Sequence, residues 1–178
     1  MSGTVLVAYA TKHGSTEEVA QAVAATVRQA GFDAELAPAF EVPDLDDYGA
    51  VVLGGALYMG RLHRDARRFL RRLHHELAEM PVAVFAMGPQ TMEQHDVDAS
   101  RRQLDAALAK TPDVRPVAIA IFGGVIHQDE LKFPFNQMPE TDARDWGEIH
   151  RWAEEVAEAF ESKPRSADPT RSASVARL

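Results

Sequence analysis

Cysteine is missing altogether from the 178 residues. Without it there is no disulfide, no thiolate nucleophile and no cysteine-ligated iron–sulfur cluster, and a reducing cytoplasmic setting is permitted. Aromatic residues are sparse at 7%, and no apolar run approaches the roughly 20 residues of a membrane span, so no integral membrane segment is expected. A basic surplus is lacking too: the formal net charge is -8, which argues against general nucleic-acid binding. Neither Gly-x-x-x-x-Gly-Lys-Ser/Thr nor Gly-x-Gly-x-x-Gly occurs, so neither nucleoside triphosphate nor dinucleotide binding follows. There is no internal repeat, and the first strand begins too early to leave room for a signal peptide.

What is present centres on residues 5–19. An apolar run of strand length breaks into a short hydroxyl-bearing turn, and a helical pattern starts at once with Val19, Val23 and Val27 on one face. Residues 11–16 therefore sit at the carboxyl end of a buried strand and the amino end of a helix. Unpaired backbone N–H groups and the positive end of the helix dipole meet there, which is where proteins hold anions, phosphate above all. Thr11, Ser15 and Thr16 add hydroxyls, Gly14 lets the backbone wrap closely, and Lys12 and His13 bring positive charge to the rim. The plainer reading is a strand-to-helix turn in which Ser15 or Thr16 merely caps the helix.

Further along, residues 34–37, 50–54, 82–87 and 117–122 read as strands. Helices are expected over residues 64–79, with Phe69, Leu70, Leu73 and Leu77 inward, and over residues 96–109. A final helix carries Ile149, Ala153, Val156 and Phe160 on its inner stripe. Five apolar strands alternating with helices imply an α/β doubly wound parallel sheet, whose ligands bind beyond the carboxyl ends of the strands. Glycine-bearing loops after the strands, 54–60, 88–90 and 123–124, would converge there with residues 11–16 and let a ligand approach the backbone. One domain is expected over residues 1–161, and the Ser-, Ala-, Arg- and Pro-rich residues 162–178 read as a disordered tail.

Three segments carry a family resemblance: residues 9–20 (YATKHGSTEEVA), residues 54–60 (GGALYMG) and the pair Asp145 and Trp146. Over residues 4–160 the chain resembles the flavodoxin-like proteins, and within them the branch that includes menaquinone-dependent protoporphyrinogen oxidase. The resemblance implies the strand order 2-1-3-4-5 and non-covalently bound FMN. It implies that Thr11, Lys12, His13, Gly14, Ser15 and Thr16 enclose the FMN phosphate. Ala56, Leu57, Tyr58 and Met59 would line one side of the flavin ring, Met87, Gly88 and Pro89 another, and Gly123, Gly124 and Val125 a fourth wall. Two features differ from the family pattern. The oxidase branch has a long hydrophobic and basic insertion before its last helix, where residues 127–143 here are short, with Leu131, Phe133, Phe135 and Met138 as the sizeable apolar side chains. Flavodoxins commonly stack the ring between two aromatic side chains, whereas Tyr58 stands alone because residues 87–92 contain none.

The function implied is a cytoplasmic FMN-dependent oxidoreductase acting on a quinone or a porphyrinogen, the flavin doing the chemistry. The rivals are a non-catalytic electron carrier between protein partners and a binding domain that uses no flavin. No catalytic side chain is named. His127 reads either as a proton donor at the ring edge or as a solvated loop histidine. The arginines at 61, 64, 67, 68, 71 and 72 suit an acidic partner or lipid headgroups, or simply a solvated face. No metal is expected, since His74 and His75, as helix neighbours, diverge and no carboxylate spacing completes a set with them or with His63. Trp146 is expected to anchor the last helix by packing, and Phe133 and Phe135 to belong to a lid or to pin a loose connection.

Overall fold

The computed structural model describes residues 3–126, 132–133 and 135–163. The elements are β1 (Thr4–Ala10), α1 (Ser15–Gln29), β2 (Ala34–Pro38), β3 (Tyr48–Tyr58), β4 (Arg61–Leu62), α2 (Arg64–Arg72), α3 (His74–Ala78) and β5 (Val82–Met87). They continue with α4 (Gln94–Leu108), β6 (Ala118–Phe122), β7 (Val125–Ile126), a 3-10 turn (Phe135–Gln137), β8 (Thr141–Asp142) and α5 (Trp146–Ser162). The main strands run parallel in the order β2-β1-β3-β5-β6. Counting only the long strands, that is the expected 2-1-3-4-5. The short β4 is added antiparallel to the end of β3, and β7 pairs with β8 apart from the main sheet.

Alternation along the strands divides the core in two, since successive side chains point to opposite faces. Leu6, Ala8, Val51, Leu53, Val82 and Val84 face one layer, filled by Phe69, Leu70, Leu73, Leu77 and Leu104 of α2, α3 and α4. Val5, Val7, Val52, Ala83 and Phe85 face the other, filled by α1 and by Ile149, Trp152, Val156 and Phe160 of α5. Trp152 stands edge-on to Phe85 and Phe122, with ring centroids 5.8 and 5.6 Å away. The layers fix α1 and α5 on one face and leave the carboxyl ends of β1, β3, β5 and β6 open together.

Several expectations need correcting. The helix expected over residues 64–79 is broken at Leu73, whose backbone turns aside at φ -111° and ψ 18°. Leu73 is buried and its C=O still accepts from the Leu77 N–H at 2.9 Å, so the apolar spacing reads straight through the break. The residue expected as the packing anchor of α5 is the wrong tryptophan. Trp146 is 39% exposed under the Arg144 guanidinium, and Trp152, 7% exposed, does the anchoring. Phe133 is 76% exposed and pins nothing. His127 and Leu131, the Phe135 side chain, and residues 164–178 of the expected tail lie outside the described residues.

Candidate functional site

The turn after β1 is shaped for an anion by its own residues. Gly14 is the N-cap of α1 and takes φ 87°, a left-handed conformation that costs glycine little. Its N–H donates to Thr11 Oγ1 at 2.9 Å, closing residues 11–14 into a tight loop and leaving the Thr11 hydroxyl proton free to donate. No side chain caps α1, so the capping reading of Ser15 and Thr16 fails. The first-turn amides have no acceptor within the helix by its geometry. Thr16 is fully buried, and its Oγ1 has no hydrogen-bond partner among the described residues. A buried hydroxyl without a partner costs roughly 1–3 kcal/mol, and a phosphate oxygen at the helix start would remove that cost. The loop therefore fits a phosphate monoester, by an orphaned donor and an uncapped helix end rather than by sequence pattern alone.

The loop opens onto a cleft of about 350 Å³ at the carboxyl edge of the sheet. Its walls include Thr11, Lys12, His13 and Ser15 from the first loop, Ala56, Leu57 and Tyr58 from β3, Met87 and Gly88 after β5, and Gly124 and Val125 after β6. Gly14, Thr16, Met59, Pro89 and Gly123 do not line it; Thr16 lies behind the wall at the start of α1. Met59 and Gly60 form the tip of a β3–β4 hairpin at φ 51° and 76°, the two positive values a type I′ turn requires, and Met59 points outward at 73% exposure. Pro89 instead accepts the Gly124 N–H at 2.8 Å, holding two of the loops together. A Cβ on Gly123 would lie 1.9 Å from the Ala143 carbonyl oxygen, so this glycine serves backbone packing against the segment before α5. Gly54 likewise makes room for the Phe85 ring and Gly55 for Leu62, which corrects the expectation that these glycines clear space for a ligand.

The hairpin also brings in residues that the sequence reading placed elsewhere. Arg61, His63, Arg64 and Arg67 stand in the cleft wall. Arg67 is fixed by donating from Nε to the Leu62 carbonyl at 2.9 Å, and the Lys12 ammonium lies 4.9 Å from the centre of the Tyr58 ring. His63 caps α2, its Nδ1 accepting from the Asp65 N–H at 3.1 Å. Burial first, and then the charges of Arg64, Arg67 and Lys12, hold the His63 imidazole below its usual range, with Asp65 opposing. On the far side, Arg144 of the segment after β8 pairs with Asp142 at 2.7 Å and with Glu18 in the first turn of α1. That ties the β7–β8 flap to the anion loop. The signal for the missed arginines was a six-residue step from Leu57 to His63, too short for anything but a hairpin, though its Met-Gly turn lacks the usual Asn-Gly cue.

A family model described as a flavodoxin domain matches residues 6–138. Among curated proteins, the protoporphyrinogen IX dehydrogenase (quinone) of Escherichia coli K12 is 22% identical over 169 residues, covering 85% of this chain and 93% of the relative. The two-electron reduced flavodoxin of Megasphaera elsdenii superposes with a TM-score of 0.59 at 22% identity, over 86% of this chain and 98% of that one. Rubredoxin oxygen:oxidoreductase of Desulfovibrio gigas gives a TM-score of 0.61 at 14% identity, over 89% of this chain and 36% of that one. With the family model spanning more than half of the chain, the chain belongs to the flavodoxin domain family, and the cofactor this membership indicates is FMN.

Proposed function

We propose that the chain is an FMN-dependent oxidoreductase whose substrate is a quinone or a porphyrinogen. The observation that carries the flavin reading is the fully buried Thr16 hydroxyl, without a hydrogen-bond partner among the described residues, at an uncapped helix start. Thr11, Ser15 and Thr16, with Lys12 and His13 at the rim and Gly14 shaping the loop, would hold the FMN phosphate. Ala56, Leu57 and Tyr58 would flank one side of the ring and Met87 and Gly88 another, with Gly124 and Val125 closing the site beneath the flap. When bound, the flavin supplies hydride or single-electron transfer. The residues around it bind and orient, and His63 Nδ1 is committed to the Asp65 N–H. Arg61 and Arg64 at the mouth would attract a substrate bearing carboxylates, as a porphyrinogen does.

The substrate class rests on the name of the Escherichia coli relative and on this cationic rim. Among the described residues, no helix is long and apolar enough to cross a membrane. A cytoplasmic protein touching anionic lipid through α2 is the corresponding proposal, since Arg68 and Arg71 lie with Lys110 around a small pocket of about 90 Å³ outside the cleft. The rival reading is an electron carrier, favoured by Tyr58 and Met59, 46% and 73% exposed on a protruding hairpin of the kind a partner protein covers. Anaerobic assay of the FMN-loaded chain separates them. Quinone-dependent oxidation of protoporphyrinogen, followed by porphyrin fluorescence, is the expected result. A flavin that reduces and reoxidises only through protein partners would favour the carrier.

A further inference from the structure

Sequence spacing argued against a metal because neighbouring helix residues diverge, yet the two imidazole rings lie together in the structure. His74 and His75 open α3 just after the break at Leu73, with ring centroids 3.9 Å apart and planes 35° from parallel. Asp113, in the turn between α4 and β6, reaches across so that Oδ2 lies 2.8 Å from His74 Nδ1. One potential ligand atom from each of the three lies within 4.8 Å of the other two. We infer that His74, His75 and Asp113 form a binding site for a divalent transition-metal ion, zinc being the best match. The site lies at the end of the sheet opposite the cleft, since α3 leads into the start of β5 and Asp113 precedes the start of β6.

Both halves of the site are anchored in the core. Leu73 and Leu77, 2% and 1% exposed, bracket the histidines, while Thr111 and Val114, 5% and 4% exposed, bracket Asp113. The Val114 N–H donates to the Thr111 carbonyl at 3.0 Å, fixing the turn that presents the carboxylate. Two imidazole nitrogens and one carboxylate oxygen make a donor set that zinc accepts, with water completing a tetrahedron. Tetrahedral bonds of about 2.1 Å set ligand atoms about 3.4 Å apart. The exposed His75 ring has the freedom to close that gap by rotation about its side-chain bonds. A loaded ion would staple α3 to the α4–β6 turn, and so add to stability in proportion to its occupancy. A simple carboxylate–histidine pair would need only His74 and Asp113, so His75 distinguishes the two readings.

The test is calorimetric titration of the tag-free, FMN-loaded chain with zinc chloride, beside His75→Ala and Asp113→Asn. Saturable one-to-one binding is expected, weakened on the order of tenfold or more in each variant. Zinc should raise the melting temperature of the parent more than that of His75→Ala at the same concentration, while FMN affinity stays the same in all three chains. Melting without zinc confirms that the variants fold, and both altered side chains are exposed. Zinc affinity unchanged in His75→Ala, or no saturable binding to the parent, would overturn the site.

Discussion

Thr16 and His63 concentrate the chemistry of single residues. The Thr16 hydroxyl is buried and has no hydrogen-bond partner among the described residues, so its presence destabilises the flavin-free chain. Thr16→Val keeps the shape and removes the orphan. Without FMN, the variant should be as stable as the parent or up to about 1–3 kcal/mol more so in urea unfolding. His63 gives a pH signature. Its folded pKa lies below the ordinary 6.5, so the unfolded chain binds more protons in the window just under that value. Stability is therefore lost as pH falls from 6.5 through the folded pKa, because protonation also ends the acceptance of the Asp65 N–H. His63→Asn retains a capping side chain without a titrating ring. Its unfolding midpoint should fall less than the parent's between about pH 7 and 5. Parallel curves for the two chains would remove His63 from the account.

Elements show which parts of the design are local and which are not. The strand-to-helix turn over residues 11–14 was legible in the sequence because strand, turn and helix start follow one another along residues 5–19, and every group proposed to hold an anion there belongs to that stretch. The β3–β4 hairpin was not, because each arm pairs over two residues and its turn places a methionine at φ 51°. Arg61, His63, Arg64 and Arg67 reach the cleft beside that hairpin, whereas in sequence the arginines read as a face for an acidic partner or lipid headgroups, or simply a solvated one, and His63 only as an incomplete metal set. Met59→Asn should relax the turn and stabilise the chain by roughly 1 kcal/mol in urea unfolding, leaving FMN affinity unchanged. A loss of stability would mean that Met59 makes a contact worth more than its strain. Gly123 was misread for a different reason: a glycine after a strand looks the same whether it admits a ligand or another backbone. Gly123→Ala must push back the Ala143 carbonyl, and a loss of about 1–3 kcal/mol is expected from denaturation. Unchanged stability would show that the segment before α5 yields freely.

At the scale of the whole molecule, a net charge of -8 coexists with a cleft walled by Lys12, Arg61, Arg64 and Arg67. Local cations in a concave site focus the field that a dianionic ligand meets, so they outweigh the distant carboxylates. The rate of FMN association, read by stopped-flow quenching of flavin fluorescence, should fall as salt rises from about 0.01 to 0.5 M. A rate that rises with salt would mean that net charge governs the approach. The overall architecture was legible from the apolar strands and amphipathic helices, because burial on both faces leaves a parallel sheet few alternatives. The pairing of His74, His75 and Asp113 was not, since Asp113 comes from the turn between α4 and β6, far from the histidines in sequence. The central claim, that the start of α1 holds the FMN phosphate, is met most directly by titrating flavin-free parent and Thr16→Val with FMN and following fluorescence. The account predicts tight quenching by the parent and an affinity roughly ten- to a hundredfold weaker in the variant, the loss of one charge-assisted hydrogen bond. Equal affinities in two folded chains would contradict it.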